Sequence, residues 1–156
     1  MENLDLIDRK ILAILQDQGR ITNAQLAKEL SLSPSPTLER VKKLEQSGVI
    51  RQYVALVDER KINRNTTAFV TIALERLSDT IINTFNEEVI TLPEVMECYS
   101  VAGDNDYMMK VVVSDLDEYN IFLHEKLAKV NGIRNIKTSF VLTAHKRETA
   151  LPVSAN

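Results

Sequence analysis

The side chains with the clearest chemical potential lie between Ser33 and Lys43. Ser33, Ser35 and Thr37 bracket two prolines, Pro34 and Pro36, and are followed within one short run by Glu39, Arg40, Lys42 and Lys43. Serine as cap and proline in the first turn open a helix, at Ser33-Pro34 or at Ser35-Pro36. At 100° per residue, Pro36, Glu39, Arg40 and Lys43 then point away from a Leu38/Val41/Leu44 face. Guanidinium and ammonium groups on an outward helix face suit the phosphates and base edges of a DNA major groove. Hydroxyls near the helix N-terminus, where negative charge is favoured, suit a phosphate. Thr22 and Asn23, opening the preceding helix, join this DNA-binding set. The same cations could merely solvate an exposed face, so the surrounding elements have to decide. Elsewhere the chemistry is sparse. His124 and His145 have no nucleophile beside them, and Cys98, the single cysteine, reads as a small apolar residue on a strand. No residue is assigned as catalytic or as a metal ligand.

Three helical patterns position the first cluster. Leu4, Ile7, Ile11, Ile14 and Leu15 make one apolar stripe over about 4–17, and Gly19 follows where a helix should stop. Thr22-Asn23-Ala24-Gln25 has the form of a capping box, with Leu26, Ala27 and Leu30 behind it. After a break at Leu30–Ser33 comes the 35–47 helix, ending at Gly48. Two short helices joined by a tight turn and braced by a third are a helix-turn-helix, which favours the groove-reading role for Arg40, Lys42 and Lys43. Val49–Val57 is β-branched and predicts a wing strand. The expected domain spans 1–57, with a polar linker over 58–65.

The second half, 66–145, alternates strand and helix. Strands are predicted around Ala68–Leu74, Val95–Val101, Tyr107–Val113 and Ile136–Leu142. Helical stripes run through Ile82, Phe85, Val89 and Leu92, and through Leu116, Tyr119, Leu123, Leu127 and Val130. The order βαββαβ is the ferredoxin-like unit, so the fold class is α+β: a winged helix-turn-helix followed by a ferredoxin-like, ACT-like domain, with a tail over 146–156. The strands look partly apolar on both faces, so the face without helices calls for a second copy. Ala102-Gly103-Asp104-Asn105-Asp106 has hairpin composition.

Charge is divided unevenly. The net charge of −3 hides six Lys/Arg against three Glu over residues 20–52, and 11 Lys/Arg against 15 Asp/Glu over 53–156. A surplus of three cations is a weak hold on duplex DNA, so several copies must act together. No apolar run reaches the roughly 18–20 residues of a membrane span, and the opening residues lack a secretory layout. A cytoplasmic location without membrane contact is the expectation. None of the glycines builds a phosphate-cradling loop.

At this point the chain resembles the Lrp/AsnC family of transcription regulators. The resemblance rests on Leu32–Glu45 with Gly48-Val49-Ile50, and on Val95–Tyr107 with Gly103, Asp104, Asp106 and Tyr107 in place. It covers about Leu4 to Arg147. Ser31 departs from the glycine usual in that turn, and Glu39 from a basic residue. The resemblance implies partners of three kinds: double-stranded DNA, an amino-acid effector such as leucine or methionine, and further copies of the chain. Copies would form dimers through the sheet and octamers of four dimers. Effector contacts carried over are Val101, Ala102, Gly103, Asp104, Asn105 and Asp106 of the turn, with Tyr99 nearby and Thr138 or Ser139 of the last strand as weaker candidates. Asp104 or Asp106 would accept from the ammonium, and backbone N–H groups around Gly103 would meet the carboxylate. No other cofactor is expected. The alternative is an enzyme of the same architecture, like the sirohaem decarboxylases; a third reading is an interaction module with a vestigial DNA-binding head.

Overall fold

The computed structural model describes residues 4–153. The described chain divides into two compact units: one holds the residues up to Leu56 and from His145 onward, the other Val57–Ala144.

The first unit is built on α1 (Leu6–Asp17), α2 (Asn23–Glu29) and α3 (Pro34–Gln46). Asp5 caps α1, and Asp5 and Asp8 satisfy each other's backbone N–H groups. Thr22 and Gln25 do the same for α2, as the sequence predicts. Ile11, Leu26 and Leu44 form the fully buried centre. The turn between α2 and α3 passes through Ser31 at φ 57°, the left-handed conformation that favours glycine. The third helix opens at Ser33-Pro34 rather than Ser35-Pro36. The expected wing strand is not formed: Arg51–Val57 carries no strand pairing among the described residues, and Val54 and Leu56 are exposed. A strand needs a ladder partner, and this segment has none. The segment from His145 belongs with the helices instead of forming a separate tail. The Gln16 side chain donates to Leu151 O at 3.0 Å and accepts from Leu151 N at 2.7 Å.

The second unit follows the order β1 (Thr66–Leu74), α4 (Asp79–Ile90), β2 (Val95–Ser100), β3 (Tyr107–Val113), α5 (Leu116–Ile121), β4 (Ile133–Phe140). The antiparallel sheet is ordered β2-β3-β1-β4, the ferredoxin-like arrangement. Ala68, Val70, Ile72 and Leu74 of β1 and Tyr107, Met109, Val111 and Val113 of β3 pack against Phe85, Val89, Phe122 and Leu127 from the helical layer. On the helix-free face, register aligns Tyr99, Met108, Thr71 and Lys137 in one row and Glu97, Lys110, Phe69 and Ser139 in the next. Phe69, Met108 and Tyr99 there are exposed.

Two details depart from expectation. The predicted linker 58–65 is folded into this unit: Asp58 caps a 3₁₀ turn over Glu59–Ile62, and Arg64 pairs with Glu118 of α5 at 2.8 Å. The second long helix is not uniform. After α5 it widens into a π turn over Phe122–Lys126 and tightens into a 3₁₀ turn over Leu127–Lys129. It ends beside Gly132, at φ +86°, where an added Cβ would stand 2.5 Å from Ile81 Cγ2.

Candidate functional site

The recognition-type helix α3 is turned differently from the pattern Leu38/Val41/Leu44. Thr37 is 0% exposed, whereas Leu38 is 41% exposed, so Thr37 cannot meet DNA and Leu38 is not a core anchor. The reason is chemical. Thr37 Oγ1 donates to Ser33 O at 2.9 Å, which satisfies the hydroxyl and leaves a small body that packs. Exchanging Leu38 for Thr37 as the inward residue, with Val41 and Leu44 kept, turns the mean direction of the face by about a third of a residue step, roughly 33°. The outward face then centres on Ser35, Glu39, Lys42 and Gln46, with Pro36 and Lys43 on its flank; all are exposed. Gln46 was missed by the sequence pattern. The spacing Thr37, Val41, Leu44 fits a helical stripe as well as Leu38, Val41, Leu44, and would have found this face had threonine been admitted to the core.

Several predicted contacts are engaged within the protein. The Thr22 hydroxyl lies in its capping box, accepting from Gln25 N at 3.3 Å. Asn23 Nδ2 donates to Pro34 O at 2.8 Å and ties the start of α2 to the start of α3. Arg40 Nη1 donates to Asp5 Oδ2 at 2.6 Å and Asp8 Oδ1 at 2.7 Å, which raises its pKa above the ordinary arginine value. Ser33 makes no side-chain cap, and Pro34 and Pro36 have no N–H. The α3 N-terminus therefore offers an anion fewer donors than an ordinary helix. Lys42 and Lys43 make no ion pair among the described residues.

The second candidate is the turn Val101–Asp106. Val101 N donates to Asp106 O at 2.9 Å and closes it. Asp106 is fastened to β1 on both sides: its N–H donates to Ile72 O at 2.8 Å, and its Oδ2 accepts from Leu74 N at 2.7 Å. That carboxylate anchors the turn to the β1 backbone through Oδ2. Asp104 is left as the exposed carboxylate of the turn. Gly103, at φ +137°, holds a conformation that other residues rarely adopt, and it leaves the turn backbone open to approach. Within one chain the other carried-over residues do not converge here. Tyr99 lies on the helix-free face, with its hydroxyl donating to Glu97 Oε2 at 2.9 Å and its pKa raised by that carboxylate. Thr138 sits on β4, at the opposite edge of the sheet from β2, hydrogen-bonded to the Tyr119 hydroxyl on the helix-covered side. Ser139 aligns with Phe69 on the opposite face. Asn105 is half-buried and Ala102 exposed.

Comparison with known proteins joins these two regions. Residues 67–151 match the Lrp/AsnC ligand binding domain, and residues 4–51 match a winged helix-turn-helix DNA-binding domain. The chain belongs to the Lrp/AsnC family. It is 39% identical to the Bkd operon transcriptional regulator of Pseudomonas aeruginosa, covering 98% of this chain and 100% of that one. It is also 39% identical to the leucine-responsive regulatory protein of Escherichia coli, covering 97% and 93%. A transcriptional regulator of Neisseria meningitidis, solved as its L-Met complex, superposes with a TM-score of 0.93 at 36% identity over 97% of each chain. This Lrp/AsnC chain is accordingly a DNA-binding transcription regulator with an amino-acid-binding domain, and its relatives are regulators, not enzymes. The decarboxylase reading finds no support among them. No helix among the described residues is long and apolar enough to cross a membrane.

Proposed function

We propose that this regulator works in the cytoplasm as a sequence-specific repressor or activator whose assembly and grip on DNA answer to a small apolar amino acid, leucine or methionine. The observation that carries this reading is the pairing of two accessible elements. One is the outward face of α3, with Lys42 and Lys43 unpaired; the other is the turn around Gly103, with Asp104 exposed. Ser33, Ser35, Pro36 and Glu39 complete the DNA-facing set. The Neisseria meningitidis relative, solved with L-methionine, supports an effector of this class.

The same reading places two copies back to back across the helix-free sheet face, where Phe69 is 42% and Met108 39% exposed, and four such dimers in an octamer. In the dimer the two α3 helices enter major grooves one helical turn apart, about 34–36 Å. An effector that binds one assembly better than another shifts DNA affinity by its differential binding, typically about 1–3 kcal/mol. Sedimentation with and without a panel of amino acids, repeated on a duplex carrying the chain's own upstream region, tests both links. The expected result is an assembly larger than a dimer that binds the duplex and changes size or affinity with one amino acid. An Asp104→Ala variant should bind DNA normally and lose the response. A wild-type assembly that ignores every amino acid sinks the effector link.

A further inference from the structure

The N-terminus of α1 and the middle of α3 meet in a joint where every carboxylate oxygen has a partner. Asp5 Oδ1 accepts from Asp8 N at 2.8 Å and its Oδ2 from Arg40 Nη1 at 2.6 Å. Asp8 mirrors it, its Oδ2 accepting from Asp5 N at 3.2 Å and its Oδ1 from Arg40 Nη1 at 2.7 Å. The two aspartates are thus fixed to the α1 backbone before they receive the arginine, and Asp8 is largely shielded, at 14% side-chain exposure. Charge-assisted bonds of this kind are short and directional. They act beside a small apolar core: Ile11, Leu26, Ala27 and Leu44 are fully buried with part-buried apolar side chains around them, and α3 contributes Leu44, Thr37 and part-buried Val41. The hydrophobic effect is non-directional, whereas these bonds fix one guanidinium against two defined backbone-held carboxylates.

The electrostatics point the same way. One guanidinium faces two carboxylates, so a phosphate approaching Arg40 meets a local charge of about −1 and is repelled. Lys42 and Lys43 carry no such neighbours. We propose that Asp5 and Asp8 are positioning residues for DNA recognition: through Arg40 they set the rotation of α3, and Arg40 itself contacts no phosphate. The inference rests on α3 being the DNA-reading helix. It reverses the usual expectation for acidic residues in a DNA-binding head, because carboxylates that repel DNA strengthen its binding.

The sign of one substitution decides it. Asp8→Asn removes a negative charge, so electrostatics alone predicts tighter binding, whereas loss of positioning predicts weaker binding. The full chain is titrated by fluorescence anisotropy against a labelled duplex of its own upstream region, over a salt series and well below the melting temperature of each variant. Asp8→Asn and Arg40→Gln should each weaken binding roughly five- to tenfold, the low end of one good base contact, with the salt slope unchanged. Lys42→Ala and Lys43→Ala should each lower the slope by about 1. Asp5→Asn, which keeps a good helix cap, replaces Asp8→Asn if that variant is unfolded, and the same direction is expected. Tighter or unchanged binding by the Asp variants overturns the inference, as does a slope lowered by about 1 in Arg40→Gln. A lower melting temperature with unaltered affinity leaves the joint a fold stabiliser only and overturns it as well. If wild type binds no duplex even at low salt, the reading of α3 fails and takes this inference with it. If wild type binds and the Asp variants match it, this inference alone fails.

Discussion

Replacing Asp106 by alanine removes the carboxylate that accepts Leu74 N–H at 2.7 Å, at the point where the β1–β4 register shifts between Ala73 and Leu74. A hydrogen bond to a charged group contributes roughly 1.5–3 kcal/mol. Asp106 is half-buried, which moves the estimate to the lower half of that range. We expect a loss of about 2 kcal/mol in the Val57–Ala144 unit, or roughly 8–16 °C for a unit of this size. An asparagine side chain at this position keeps an acceptor oxygen, so Asp106→Asn should lose about 1 kcal/mol or less. Denaturant unfolding, with calorimetric titration of leucine and methionine in parallel, separates anchor from ligand contact. An anchor gives the asparagine variant the smaller stability loss and a preserved response. Full stability in both variants together with a lost response would refute the structural assignment and return Asp106 to the ligand.

Other consequences are open to similar tests. Gly132→Ala combines a positive φ with a Cβ 2.5 Å from Ile81 Cγ2, and should cost about 3 kcal/mol by denaturant unfolding of the same unit. Ser31→Gly relieves a left-handed serine but loosens the unfolded chain, for a net gain of about 0.5 kcal/mol read as a higher denaturant midpoint. Glu118 is held at about 2, below its ordinary 4.5, by Ser114 (side chain first, then backbone N–H) and then by Arg64. A lowered folded-state pKa gives stability that is full above 4.5 and fades as pH falls toward 2. Acid titration of Glu118→Gln should therefore show a flatter decline than wild type over that interval.

Much of this was legible because its causes are local. The capping box Thr22–Gln25, the stripe of α1 and the alternation of β1 and β3 depend on neighbours three or four residues away, or on the period of the element. Gly103 and Ser31 fall in turns whose backbone angles demand something unusual, and position alone marks them. The misses share a different cause. Thr37 entered the core because its hydroxyl found Ser33 O, a partner that polarity scales do not count. In sequence Arg40 and Asp106 look like groups open to a ligand, yet each meets acceptors or donors far along the chain, 32 and 35 residues away for the Arg40 pairs and 32 for Leu74. The strand at Val49–Val57 has the right composition and lacks a partner in one chain. Composition reports what a segment tolerates, whereas pairing depends on what else is present.

The hydrogen bonds between Gln16 and Leu151 join residues 135 positions apart. During synthesis the three helices can close on Ile11, Leu26 and Leu44 as soon as α3 has emerged, but that closure lacks its last piece. At about 5–20 residues per second, the ribosome delivers Leu151 roughly 7–27 s after Gln16. The DNA-binding unit is thus the first to begin folding and among the last to finish, with the whole ligand-binding unit made in between. A nascent chain can present a formed α3 while this seam of its head is still open, so a chain cut short anywhere between the two units would differ from the finished regulator in the head as well as in the part it lacks.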